Sequence, residues 1–468
     1  MIEEFRKSSF WLRFTEVRQI LRDELAPTLR VAFPLVLAEI GWYSMSIVDS
    51  IMVGRLPNSA VALGAVSLGS SLFYTCAIFG GGLLLGLDTL VSQAFGRKDM
   101  RAANRALLHA LYIVAVIAPL LMLIVRTWPP VMRRLGVASI VVTEMEPFIR
   151  AMSWSVLPLL LYFAFRRYLQ GVHLVKPVAF ALITANIVNA IGNWIFIYGR
   201  LGFPAYGVAG SGWSTCFARL YMAAVLLLAI IYYNRKGLLQ IGQTSLHFEP
   251  RLVRALLRLG FPAATQILLE IGGFAAVSAL CGILGPVPLA AHQIALNCAA
   301  LTFMVPLGMS SAAAVRVGRE IGRGDPVRAK HAGWTAIFLG ASFMTMAGIL
   351  FVSVPRLLAR VFTFDPVVIS AASTLLLIAA AFQLFDGVQT VCTGALRGIG
   401  ETRIPMLANL FAYWIVGLPV GSFLGFKLSW GAPGFWIGLC IGLILVAVSL
   451  VWHWNKVMRT GVLAHTAA

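Results

Sequence analysis

Five of the 18 acidic residues, Glu39, Asp49, Asp88, Glu270 and Asp386, fall inside long apolar runs or, for Asp88, at the end of one. Taking an ionised carboxylate out of water is costly, and inside hydrocarbon an acid persists only with a partner or a use. Burial favours the neutral form of a carboxyl group, whereas a nearby cation favours the charged one. Acids placed this way can hold a proton and release it when a cation arrives, which is the chemistry of an exchanger.

The neighbours of these acids fit that chemistry. In "AFQLFDGVQTVCTGALRG", Asp386 has Gln383, Gln389 and Thr390 at i−3, i+3 and i+4, and Phe382 at i−4. Glu270 has Gln266 one turn before it and Phe274 one turn after. An acid, amides and aromatic faces together suit a lipophilic organic cation through charge pairing and cation–π contact; they could equally form an interhelical hydrogen-bond cluster. At about 100° per residue, Glu39, Trp42, Tyr43, Ser46 and Asp49 share one helical face about 120° wide, as a cavity wall would. Glu39 lies nearer the start of the run, where it could pair with an arginine. "NIVNAIGN" puts Asn186, Asn189 and Asn193 within an arc of about 60°. Their amides can bond an aspartate, offer oxygens to a small cation, or hold helices together. Asp88 stands near Arg97 and Lys98 and reads as a surface ion pair. "GRGD" at 322–325 matches the GxGD string of intramembrane aspartyl proteases, but it lies in a basic loop outside any apolar run, whereas both acids of such a dyad must lie within the membrane.

The elements that must position these residues follow from composition. The chain has 468 residues, 59% hydrophobic and 12% charged, against about 25% charged in a soluble domain; the mean hydropathy is +0.86. Twelve continuous apolar runs stand at 30–52, 61–87, 105–126, 147–167, 178–198, 207–232, 258–284, 288–315, 333–353, 369–393, 404–426 and 434–455. Only helices or closed barrels satisfy the backbone in lipid, and the runs do not alternate, so they are helices. Short loops leave no room for a large soluble domain. Numbered alternately from the N-terminus, one set of ends and loops carries 27 of the 37 lysines and arginines and the other carries 8. That asymmetry puts both termini in the cytoplasm. The net charge of +19 therefore serves topology and anionic membrane lipids rather than nucleic acid. All six cysteines lie in apolar runs, with no disulfide pattern and no CxxC metal site. "RKSSFWLRFTEVRQILRDEL" is a basic amphipathic stretch expected on the inner leaflet, too charged for a signal peptide.

The chain repeats itself. "FPLVLAEIG" echoes "FPAATQILLEIG", and "AFGRKDMRAANRA" echoes "EIGRGDPVRAKHA" at an offset of 226; Gly171 pairs with Gly398 and Gly207 with Gly434, both at 227. An even number of helices per half makes the repeats parallel, related by an axis along the membrane normal. The expected division is a cytoplasmic amphipathic N-terminus (1–29), an N-lobe of six helices (30–232), a cytoplasmic linker (233–257), a C-lobe of six helices (258–455) and a cytoplasmic tail (456–468).

Along its whole length, from "FPLVL…SIVDSIMVG" through "LVSQAFGR", "LAAHQIALN", "VRVGREIG" and "FDGVQTVCTGALRGIGETRIP", the chain resembles the multidrug and toxic compound extrusion (MATE) transporters, most closely their NorM-like bacterial branch. The resemblance implies an all-α integral membrane protein with twelve helices in two V-shaped six-helix lobes. It implies export of lipophilic cationic drugs in exchange for Na⁺ or H⁺ by rocking of the lobes. It assigns coupling and cation binding to Asp49, Glu270 and Asp386, with any Na⁺ held at these acids. Asn189 and Asn193 stand where other branches carry an Asn and an Asp, and Thr215 matches a cavity threonine on the sixth helix. Phe382 offers no oxygen one turn before Asp386, so a Na⁺ site there needs other ligands. A monomer in the inner membrane is expected, with no cofactor and no enzymatic activity.

Rival readings are weaker. A lipid-linked oligosaccharide flippase of the same superfamily should line its cavity with Arg and Lys, yet Arg150 and Arg219 stand against five acids. A channel needs a filter-like stretch or pore ring, and an enzyme needs a nucleophile, metal cluster or cofactor motif; the sequence offers none.

Overall fold

A computed structural model describes residues 2–245 and 247–460, with side chains from residue 24 onward. The basic face expected near the N-terminus and the last eight residues of the tail lie outside the described side chains. The first half comprises α1 (Ile2–Val53), α2 (Ser59–Leu83), α3 (Gly86–Gly96), α4 (Met100–Arg126), α5 (Trp128–Arg134), α6 (Ser139–Trp154), α7 (Val156–Gly171), α8 (Lys176–Tyr198) and α9 (Val208–Arg235). The second comprises α10 (Pro250–Leu284), α11 (Pro286–Gly322), α12 (Pro326–Ser353), α13 (Pro355–Arg360), α14 (Pro366–Gly398), α15 (Arg403–Lys427) and α16 (Ala432–Thr460). Among the described residues, eleven helical segments are long and apolar enough to cross a membrane, and the pair α6–α7, bent by 43° at Ser155, makes the twelfth. Exposed Leu120, Leu123, Phe180, Ile187 and Ile191 belong to the lipid-facing surface.

The repeat is visible in backbone detail. Asp99 caps α4 and Asp325 caps α12, each accepting from an N–H three residues on at 2.9 Å. A side-chain oxygen here satisfies an otherwise unpaired donor of the first turn. The preceding residues, Lys98 and Gly324, have φ of 61° and 77°. The turns after α7 and α14 match in the same way, with His173 at φ 62° and Gly400 at φ 88°. One landmark shifts. The turn into α9 is built on Gly207, with Gly210 N–H donating to it, and the turn into α16 is built on Gly431, with Gly434 N–H donating to it. Gly207 thus corresponds to Gly431, and Gly434 to Gly210, because the loop before α16 is shorter than the loop before α9.

The lobes pack as mates across a pseudo-two-fold. A Cβ on Gly96 would lie 2.1 Å from the Arg319 carbonyl oxygen, and a Cβ on Gly322 would lie 2.1 Å from that of Gln93. Each contact is the other's image at the offset of 226. Gly82 against Ala264 and Gly308 against Val36 form a second pair, with the glycines 226 apart and their partners 228 apart. Helices in lipid gain little from hydrophobicity, so small residues that allow backbone approach supply the packing. These contacts lie towards the side of the membrane where α1 begins and α16 ends, here the termini side. The apolar core is split in two, one part per lobe, with exchanged ends: Val31, Ala32 and Leu35 of α1 join the second core, and Leu256 of α10 joins the first. The stretch of α1 around Val31–Leu35 and the early turns of α10 thus each pack into the opposite lobe.

Gly96→Val should lower thermal stability by about 1–3 kcal/mol, the usual cost of overpacking. Melting of purified protein checks this, with Gly64→Ala as control, since a Cβ there meets nothing within 4 Å.

Candidate functional site

Each lobe holds one acid cluster. In the first, Asp49 on α1 accepts from Asn193 Nδ2 of α8 at 2.6 Å and from Thr215 Oγ1 of α9 at 3.1 Å. Asn189, one turn before Asn193, donates to Thr215 at 3.4 Å and accepts from Asn193 at 3.3 Å. The i, i+4 spacing on α8 stacks the two amides on one face, and both are fully buried. Asn186 turns elsewhere, donating to the Gly41 carbonyl of α1 at 2.9 Å. One turn beyond Thr215, the buried Arg219 donates to Ser155 at 2.6 Å and Tyr74 at 3.2 Å and lies 4.6 Å over the Phe73 ring. In sequence this residue stands out only as a basic side chain within an apolar run.

In the second lobe, Gln389 Nε2 of α14 bridges the two acids, donating to Glu270 of α10 at 2.9 Å and to Asp386 at 3.4 Å. Asp386 is 4% exposed and Glu270 half-buried. Phe274 packs edge-on to Phe382 at 5.9 Å and against Tyr413 of α15 at 6.3 Å, so aromatic faces flank the carboxylates as expected. Two expected contacts differ. Gln383 points away from Asp386 and donates to Thr302 at 2.6 Å, because i−3 on this helix faces α11. Gln266 is buried near Glu270 with no hydrogen bond to it among the described residues.

The remaining acids serve the junctions. Glu39 is buried and paired with Arg166 of α7, tying α1 into its lobe. Asp88 is not a surface residue and does not meet Arg97 or Lys98. It is 0% exposed and contacts Arg167 at 3.2 Å and, from the other lobe, Arg397 at 3.1 Å. Asp88 opens α3 and Arg97 follows its last turn, roughly 13 Å along the axis, out of reach. Beside Asp88, Thr89 donates to the Arg397 carbonyl and Gln93 to the Gly398 carbonyl. Glu24 and Thr28 of α1 hold Arg316 of α11. The lobes are thus joined by a polar layer on the termini side.

The family model MatE matches this chain twice, at residues 34–195 and 262–423. The chain is 35% identical over 443 residues to a probable multidrug resistance protein NorM of Mesorhizobium japonicum, covering 93% of this chain and 94% of that one. It is 34% identical to a protein of the same name in Brucella suis, covering 92% and 93%. Among solved structures, the eukaryotic MATE transporter AtDTX14 superposes with a TM-score of 0.83 at 21% identity, covering 94% of this chain and 98% of that one. A MATE P26A mutant superposes with 0.85 at 18% identity, covering 96% and 99%.

Proposed function

Because this chain belongs to the MatE family, we propose that it is a secondary multidrug efflux transporter that exports lipophilic organic cations in exchange for Na⁺ or H⁺. It is a multi-pass membrane protein and a transporter rather than an enzyme. The observation that carries the reading is the Glu270–Gln389–Asp386 cluster, two acids inside the membrane bridged by one amide beside aromatic faces. An acid pair attracts a cation, the aromatic rings add cation–π contact, and the low dielectric makes the attraction strong. The positive-inside asymmetry supports a bacterial inner membrane with both termini cytoplasmic. The lobes then touch at the cytoplasmic side, which suits an outward-facing state. A flippase for polyanionic headgroups is not favoured: among the described residues, Arg166, Arg167, Arg316 and Arg397 are each paired with an acid, and the buried Arg219 is held by Ser155, Tyr74 and the Phe73 ring.

Ethidium uptake into everted vesicles, with Na⁺ and pH gradients imposed separately, tests the proposal. One gradient should drive uptake; no uptake with either would refute it. In the same assay Asp49→Asn should lower uptake while leaving the protein folded, since an amide can replace most of the bonds with Asn193 and Thr215 but carries no charge. Unchanged uptake would make the first-lobe cluster structural.

A further inference from the structure

Resting on that reading, we infer that Tyr413 is an additional ligand of a Na⁺ ion held between Glu270 and Asp386, aimed there by a one-residue insertion in α15. The insertion emerges when α15 is compared with its repeat mate α8. Before these helices the offset is 227: His173 and Gly400 occupy the same turn, and α8 and α15 start at Lys176 and Arg403. After them it is 228. Tyr206 and Gly207 N–H donate to the Phe196 and Ile197 carbonyls, and Trp430 and Gly431 donate likewise to Leu424 and Gly425. One extra residue therefore lies within α15.

The backbone absorbs it within two π-helical stretches, Leu410–Gly417, where Leu418 N–H reaches back five residues to the Tyr413 carbonyl, and Phe423–Lys427, where Leu428 N–H reaches back to the Phe423 carbonyl; α8 is α-helical throughout. Isolated π-helical turns are rare and concentrate at functional sites. An inserted residue rotates the remainder of the helix by about 100°. Tyr413 sits in the first of these stretches, 0% exposed, its ring against Gly273 of α10 and Gly442 of α16. Next to it, Trp414 donates to the Leu269 carbonyl at 3.0 Å, pinning α15 to α10 beside Glu270.

The hydroxyl of Tyr413 has no hydrogen-bond partner among the described residues, and its ring packs at 6.3 Å against Phe274, which lies one turn beyond Glu270 and edge-on to Phe382, one turn before Asp386. An orphaned buried hydroxyl is costly, and two carboxylates stand nearby. The Gln389 side-chain carbonyl is also without a partner among the described residues, so the pocket offers a neutral oxygen besides its acids. Hard cations take oxygen ligands. Helix α15 has no other candidate facing the acids: where α8 presents Asn189 and Asn193 to Asp49, α15 carries Gly417 and Gly421, packed against Gly438 of α16. Phe382, one turn before Asp386, brings no oxygen. Tyr413 supplies one from a different helix.

The test is ²²Na⁺ binding to the purified full-length chain. Wild type should bind saturably. Tyr413→Phe removes an unbonded oxygen, so its melting should be unchanged while its Na⁺ affinity falls about tenfold, the loss of one hydrogen-bond-strength contact to a charged site. Phe382 shares the Phe274 contact, so adding Phe382→Tyr to Tyr413→Phe should recover affinity. Equal affinity in wild type and Tyr413→Phe overturns the inference, as does the absence of saturable Na⁺ binding in wild type. Tetraphenylphosphonium binding in the same preparations separates these outcomes from failure of the export reading, which would abolish that binding as well.

Discussion

Asp386→Asn should leave the protein folded and in the membrane while gradient-driven export of ethidium falls to near background. The side chain is buried, and its contact among the described residues is the weak 3.4 Å bond from Gln389, which is shared with Glu270. An amide keeps the shape and costs less to bury than a carboxylate, so stability should hold or rise. The substitution removes one of the two charges that make the second-lobe pocket attractive to a cation. Exchange requires the pocket to hold one cation tightly enough to exclude another and then to release it. With Asp386 fixed at zero charge, Glu270 alone must do both. Dye efflux from cells at matched expression decides the matter. Wild-type efflux would make Asp386 structural and move the coupling role to Asp49 and its asparagines.

Much of this site is legible in the sequence because helical periodicity fixes which side chains share a face. Asn189 and Asn193 share one face of α8 as their spacing requires, and Asp49 of α1 and Thr215 of α9, the latter pointed to by the family resemblance, complete the cluster. Glu270, Asp386 and Gln389 also meet, although 119 residues separate Glu270 from Gln389. The parallel repeat is readable from matched turn residues, since Asp caps and left-handed positions are local features. Contacts set by the packing of the lobes are not readable. Proximity in sequence points Asp88 to Arg97 and Lys98, whereas its partners are Arg167 and Arg397, each on a different helix. Gln383 shows the limit of the periodic argument: i−3 and i+3 both neighbour Asp386 along the helix, yet one faces α11 and the other α10. The insertion in α15 leaves no mark either. An apolar run tolerates one extra residue without any change in composition, and only the hydrogen-bond register reveals that Tyr413 has been turned.

Asp88→Asn should be among the most destabilising single changes in the chain. Arg167 and Arg397 would keep their charges, since a guanidinium does not deprotonate in a protein, and both are largely buried. Removing one partner of a buried ion pair costs about 3–5 kcal/mol, chiefly because the remaining charge is left uncompensated. The Arg397 contact has its nitrogen 3.1 Å from Asp88 without hydrogen-bond alignment, so Asp88 acts towards it mainly as a counter-charge. The loss falls on the seam between the lobes, where Thr89 and Gln93 also hold the α14 backbone. Melting of purified Asp88→Asn should therefore begin well below that of wild type. Adding Arg397→Gln removes the surplus charge and should recover part of the loss, placing the double variant between the single variant and wild type. Strict additivity of the two changes would show that the residues do not interact across the seam. Coupling between them would identify a contact that any rocking of the lobes must break, so the double variant should also change the rate of dye export relative to wild type, even where its stability is restored.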